Sequence, residues 1–246
     1  MSYNPHPNDP ELYFVQKDDD GNVVEDLSHT IEYEHFTGNL FDDGVHYLDV
    51  TQGWLSDCYL LAALAELAQH GSHFITSMIT ENDDDTYTVT IRDKDFEIGN
   101  GLPVRYSNYN ARYDDNEAWV ALVEKAYAFA SSQIKLFGAS NNTPGANSYE
   151  TIEYGWAARA LQDVVGGGIK TKGISGLSDY QIDNLLTDNT KPTFFSTIGD
   201  GKKDNNVAGT TGLAGSHAYS VLGKNENGTY RLFNPWNGED TTPEGI

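Results

Sequence analysis

The chain has a single cysteine, Cys58, placed where a thiolate would be stabilised. It opens the run CYLLAALAELAQ, rich in Leu and Ala and free of Gly and Pro, which predicts a helix over 57–69. In the first turn, unpaired backbone N–H groups and the positive end of the helix dipole favour an anionic sulfur. The plain alternative is a buried structural thiol, which has no reason to prefer the first turn behind the loop Gln52-Gly53-Trp54-Leu55-Ser56-Asp57. A thiolate nucleophile needs a histidine to share its proton and a third group to orient the imidazole. Six of the seven histidines (His6, His29, His35, His46, His70, His73) lie in polar surroundings. His217 instead opens HAYSVLG, a strand pattern, and TYRLFN follows it after an Asn227-Gly228 hairpin turn. Antiparallel pairing brings Asn234 beside His217, so that its amide oxygen accepts from the ring while Trp236 shields that bond. Gln52, six residues before Cys58, can aim its side-chain NH2 at the reacting carbonyl. With the Cys58 N–H it would stabilise an oxyanion.

The elements that must hold these groups follow from periodicity. The helix over 57–69 is apolar on nearly every side and belongs inside a domain; Ser56 and Asp57 start it and Gly71 ends it. TYTVTIR (86–92) alternates as a strand and pairs with a short one near 102–106. Trp119, Leu122, Val123, Ala126, Tyr127 and Ala130 mark an amphipathic helix within 117–131, and another lies within 148–163. Gly166-Gly167-Gly168 reads as a hinge, after which strands dominate: PTFFSTI (192–198), HAYSVLG (217–223) and TYRLFN (229–234). The division is a polar N-terminal arm (1–40, with Pro5, Pro7 and Pro10), a helical part (41–165) holding the cysteine, and a β-rich part (166–246) holding the histidine and asparagine. A cleft is expected between the last two.

Composition narrows the partners. Over 246 residues, 37 Asp and Glu against 15 Lys and Arg leave a formal charge of −22. Such a surface repels phosphate backbones and anionic lipid, so nucleic acid is not expected as a partner. No run approaches the ~18–20 apolar residues of a membrane span, so no membrane insertion is expected. One cysteine excludes an intrachain disulfide or a zinc site of several thiolates. The N-terminus lacks a basic start and an apolar core, which points to the cytoplasm, with leaderless secretion as the alternative.

The segments DVTQGWLSDCYLLAAL (49–64), NEAWVALVEKAYA (116–128), SYE (148–150), GSHAYSV (215–221) and NPW (234–236) together resemble the calpain family of papain-like cysteine peptidases. The resemblance implies an α+β, papain-like two-lobe fold with a helical N-terminal lobe, a β-rich C-terminal lobe and the active site in the cleft between them. It implies Cys58 as nucleophile, His217 as general base and then acid, Asn234 as its orienting residue, Gln52 as oxyanion donor and Trp236 as cover, acting on protein or peptide substrates. Ser56, Tyr59 and Asn237 depart from the family's usual Gly, Trp and Gly. None removes a catalytic atom, though Tyr59 alters packing under the cleft wall.

The resemblance also implies a regulatory Ca²⁺ held by the carboxylates of Asp49 and Glu117 and the backbone carbonyls of Asp42 and Gly44, hard oxygen ligands of the kind calcium takes. The bland alternative is a solvated Asp49 and a Glu117 that merely favours its helix start. A second calcium site, in the β-rich lobe, would draw on residues after NPW; the chain ends at Ile246, so most of it is expected to be missing, in a truncated chain or a minimal member. Asp18-Asp19-Asp20-Gly21 fails the EF-hand spacing and reads as a turn. Two rival functions remain open: a catalytically idle binding module of the same fold, and an acyltransferase of the transglutaminase type.

Overall fold

A computed structural model describes residues 6–11, 15–17, 23–26, 32–103, 111, 117–167, 170, 172–173, 176–187, 191–197, 213–236 and 239–241. In chain order the elements are β1 (Val15–Lys17), β2 (Val23–Asp26), β3 (Tyr33–His35), a 3-10 turn (Tyr47–Asp49), α1 (Cys58–Met78), β4 (Ile79–Glu81), β5 (Thr86–Ile91), β6 (Lys94–Gly99), β7 (Gly101–Pro103), α2 (Trp119–Gln133), a 3-10 turn (Tyr149–Ile152), α3 (Ala157–Val165), α4 (Asp179–Leu186), β8 (Phe194–Ser196), β9 (Ala218–Lys224), β10 (Tyr230–Asn234) and β11 (Glu239–Thr241). The strands form four antiparallel sheets: β1-β2, β3-β7, β4-β5-β6 and β11-β10-β9-β8. The molecule is thus a mixture of helices and antiparallel sheets. Among the described residues no helix is long and apolar enough to cross a membrane.

Residues 59–68 of α1 have no polar face to offer water, and all of them are buried. The helix breaks at Gly71 (φ −160°, ψ 44°) as the sequence predicts, but a further helical stretch continues to Met78. Helix α2 buries Trp119, Leu122, Val123, Ala126 and Tyr127 in the same core. The sheet of β8–β11 contributes Ala218, Leu222 and Phe233 to that core. The alternate residues Tyr219 and Val221 join Leu213 and Leu232 in a smaller cluster.

Three predicted features differ in detail. Strand β5 does not pair with residues near 102–106; it pairs with β4 and β6, while β7 pairs with β3. Arg92 and Asp93 both take positive φ (52° and 56°), the backbone of a two-residue primed turn, and fold β6 straight back on β5. The helix predicted within 148–163 is a 3-10 turn followed by α3, which runs on to Val165. Between them Tyr154 has φ 59°, and a Cβ on Gly155 would lie 2.2 Å from the Gly138 carbonyl oxygen. Helix α4 was not predicted, although its capping box, Ser178 with Gln181, is a sequence signal for a helix start. Pro5, the Asp18–Gly21 turn, Gly168 and Asn237 lie outside the described residues.

Candidate active site

Strand β9 runs antiparallel to β10 through the 225–229 turn, where Asn225 N–H donates to Thr229 O at 2.7 Å. This hairpin carries His217 at one end of β9 and Asn234 at the end of β10. The pairing delivers the predicted contact: His217 Nε2 lies 2.7 Å from Asn234 Oδ1. The amide oxygen also accepts from the Trp236 N–H at 3.1 Å. Because that oxygen is an acceptor, Nε2 carries the ring proton and Nδ1 has the free lone pair. The Trp236 ring lies over the imidazole (centroids 4.0 Å, 33°), and Tyr219 meets it edge-on (4.8 Å, 88°). The backbone is held equally well: His217 N–H donates to Thr197 Oγ1, and Thr197 N–H donates to His217 O, both at 3.0 Å. Only 2% of His217 is exposed, and burial lowers its pKa to about 4 against the opposing pull of Asn234.

Cys58 is the first residue of α1 and is half-buried. Its thiol accepts a hydrogen bond from the Ala218 amide, the residue after His217, so helix start and strand start meet. The sequence predicts a sulfur favoured as thiolate; in this arrangement burial pushes the thiol up to about 11. Desolvation outweighs the Ala218 hydrogen bond, and the neighbouring Asp57 charge adds to it. The imidazole is bonded to Asn234, and among the described residues no hydrogen bond joins it to the Cys58 thiol. Asp57 makes no side-chain cap of α1 and is fully buried. Burial and the nearby Glu124 hold its carboxyl well above the usual range.

Gln52 is 3% exposed, and its backbone N–H donates to Pro235 O at 2.7 Å, tying the loop before Cys58 to the loop after Asn234. Its Nε2 donates to Leu55 O at 2.6 Å, which leaves one N–H of the amide for another acceptor. On the other side of this loop, Tyr154 N–H donates to Ser56 O at 2.7 Å. Trp54, Tyr154, Trp156 and Trp236 are all exposed around it.

Asp49 and Glu117, the carboxylates that the resemblance implies for calcium, lie close together. One carboxylate oxygen from each lies within 4.8 Å of the other and of one from Asp43, a residue the sequence reading passed over. Asp43 sits in an acidic pair before Gly44, which was the available signal. Asp49 Oδ2 accepts from Trp119 Nε1 (2.9 Å) and His46 N–H (2.7 Å). Glu117 accepts from the Asp42 N–H at 3.3 Å. Burial, then repulsion from Asp49, raises Glu117 to about 7. Three crowded oxygen donors whose charges repel suit a hard divalent cation, so the residues fit calcium.

A family model described as "Calpain family cysteine protease" matches residues 28–242. Calpain-B of Drosophila melanogaster is 33% identical over 138 residues, covering 52% of this chain and 13% of that protein. Calpain-type cysteine protease DEK1 of Zea mays is 28% identical over 231 residues, covering 83% and 10%. Calpain clp-1 of Caenorhabditis elegans is 29% identical over 225 residues, covering 81% and 26%. The chain therefore spans only about a tenth to a quarter of the length of these relatives.

Proposed function

The chain belongs to the calpain family of cysteine proteases, and on that premise we propose that it is an endopeptidase working through Cys58, His217 and Asn234. The observation that carries this reading is the His217–Asn234 hydrogen bond of 2.7 Å, roofed by Trp236 and set beside the first turn of the Cys58 helix. We assign 41–165 to a helical lobe and 166–246 to a β-rich lobe, with the substrate lying between them.

In the proposed reaction His217 Nδ1 takes the thiol proton as Sγ attacks a peptide carbonyl. Asn234 Oδ1 meanwhile holds Nε2–H and fixes the ring. The oxyanion is met by the Cys58 N–H and the free N–H of Gln52. The imidazolium then protonates the leaving amine, the C–N bond breaks, and an acyl-enzyme remains on Sγ. Water, deprotonated by His217, attacks the thioester and releases the acid and the thiol. The neutral thiol and imidazole of the resting arrangement ionise together only when Nδ1 and Sγ come within hydrogen-bond reach, so the reaction needs His217 and Cys58 to approach each other. Trp236 keeps water from the His217–Asn234 bond.

We also propose that Asp43, Asp49 and Glu117 hold a Ca²⁺, with the carbonyls of Asp42 and Gly44. A bound ion would cancel the repulsion among these carboxylates and stiffen the segment between Asp49 and Gln52. A second reading, an idle binding module, takes its support from the lack of a hydrogen bond between thiol and imidazole among the described residues. Labelling of Cys58 by a thiol-directed epoxide, with and without calcium, separates the two. Labelling together with loss of cleavage of an unfolded protein in Cys58→Ala supports the peptidase; cleavage by Cys58→Ala ends it. Products carrying an added amine would reassign the chemistry to acyl transfer.

A further inference from the structure

Helix α1 carries one charged side chain among its buried turns. Glu66 is the sole ionisable group between Tyr59 and Gln69, and it is fully buried. Its carboxylate bridges two adjacent strand segments: Oε1 accepts from the Val221 N–H at 2.6 Å and Oε2 from the Thr193 N–H at 3.2 Å. Val221 N–H also donates to Thr193 O at 3.0 Å, so the carboxylate closes onto the end of the β8–β9 ladder. His70 Nε2, one turn along the helix, lies 3.5 Å from Oε2.

Cys58, Ala62 and Glu66 are spaced i, i+4, i+8 and share one helix face. That face meets β9 in order. The Cys58 thiol takes the Ala218 amide, Ala62 O accepts from Ser220 Oγ at 2.9 Å, and Glu66 takes Val221. Eight helical residues rise about 12 Å. The three strand steps from Ala218 to Val221, which face Cys58 and Glu66, cover about 10 Å. Helix and strand are therefore two rulers of comparable length. Fastening them at Glu66 sets their offset at the other end, where Cys58 and His217 stand. The ladder transmits the offset, because Thr197 holds His217 at the far end of the same β8–β9 pair.

We propose that Glu66 is a positioning residue: its carboxylate locks the helix of Cys58 in register with the strand of His217 and so sets the spacing of the two reacting groups. This rests on the peptidase reading above. Burial raises Glu66 to about 8, against its two backbone donors, so the fold disfavours the ionised form and the buried carboxyl costs stability.

The test compares Glu66→Met, which keeps the volume and removes both acceptors, and Glu66→Gln, which keeps one. Three quantities are read: kcat and KM on a fluorogenic peptide that the wild type cleaves, the rate at which iodoacetamide alkylates Cys58, and Tm at pH 8. Glu66→Met is expected to lower kcat about tenfold or more, with KM within about twofold, because small misplacements of reacting groups are costly. Alkylation should slow in parallel and Tm should not fall. Glu66→Gln should lie between Met and wild type. Wild-type kcat and alkylation in both variants would overturn the proposal, as would kcat and Tm falling together in Glu66→Gln. If Glu66→Met does not fold, Glu66→Gln decides alone by the same criteria. Should the wild type cleave no peptide, the peptidase reading fails, while the alkylation rates still judge the clasp.

Discussion

His217 and Cys58 stand side by side, yet their surroundings are built in different ways. His217 is finished locally: Asn234 holds its ring, Thr197 its backbone, and Trp236 and Tyr219 its faces. All four belong to the strand ladder that His217 begins, or to segments adjoining it. Cys58 depends on distant parts of the chain. Its helix start abuts Asp57, whose carboxyl burial and Glu124 on α2 hold well above the usual range, and its thiol faces Ala218. Both reacting groups rest uncharged, the imidazole lowered to about 4 and the thiol raised to about 11. The imidazole is fixed in position, but burial weakens it as a base just as it weakens the thiol as an acid, so control of the proposed reaction lies in the mutual approach of α1 and β9.

The largest effect expected from breaking this contrast is on the histidine side. His217→Ala should lower peptide cleavage by about 10³-fold or more, the range for loss of a general acid–base group. Alkylation of Cys58 above pH 11, where the thiol ionises unaided, should be unchanged, which a misfolded variant would not give. Next is the effect of acid on stability. An unfolded histidine takes a proton near 6.5, whereas His217 in the fold takes one only near 4. Between those values the unfolded state binds more protons, so stability is lost as pH falls through the window, by about 3 kcal/mol at most. Glu66, raised from 4.5 to about 8, acts with the opposite sign, since its fold-derived stability declines as pH rises across that range. Comparing wild type with His217→Gln from pH 7 to 4 isolates the histidine: denaturant unfolding should show a shallower acid loss in the variant. Third, Gln52→Ala should lower kcat about 10²-fold with little change in KM, as for loss of one oxyanion donor. A KM effect alone would make Gln52 a loop anchor through its Leu55 contact.

The same contrast explains what could be read before folding. The His217–Asn234 contact was legible because it needs only a hairpin, and Asn227-Gly228 marks the turn. The start of α1 was legible because an apolar run ends abruptly at Asp57. The β5 pairing was not, because Arg92-Asp93 lacks the residues that usually announce a primed turn. The thiol's raised pKa was not legible either. Helix-end electrostatics can be read locally, whereas desolvation by the packed fold is a tertiary effect. Asp43 was not legible because the segment holding it and Asp49 meets the distant Glu117 only in the fold.

The smallest expected effect tests whether the proposed calcium site works through that cysteine side. Asp43 is exposed and belongs to neither the helix nor the β9 ladder, so replacing it disturbs no packing. Asp43→Asn removes one of three clustered negative charges and leaves Asp49 bonded to Trp119 and His46. Calcium affinity follows the number of charged ligands, so the calcium concentration for half-maximal cleavage should rise about tenfold while the saturating rate stays the same. With chelator present, the variant should be no less stable than the wild type, because repulsion toward Asp49 and Glu117 has been relieved. A lowered rate at saturating calcium would move Asp43 into the working geometry of the Gln52 loop. An unchanged calcium requirement would remove Asp43 from the ligand set and leave Asp49 and Glu117 to hold the ion with carbonyls alone.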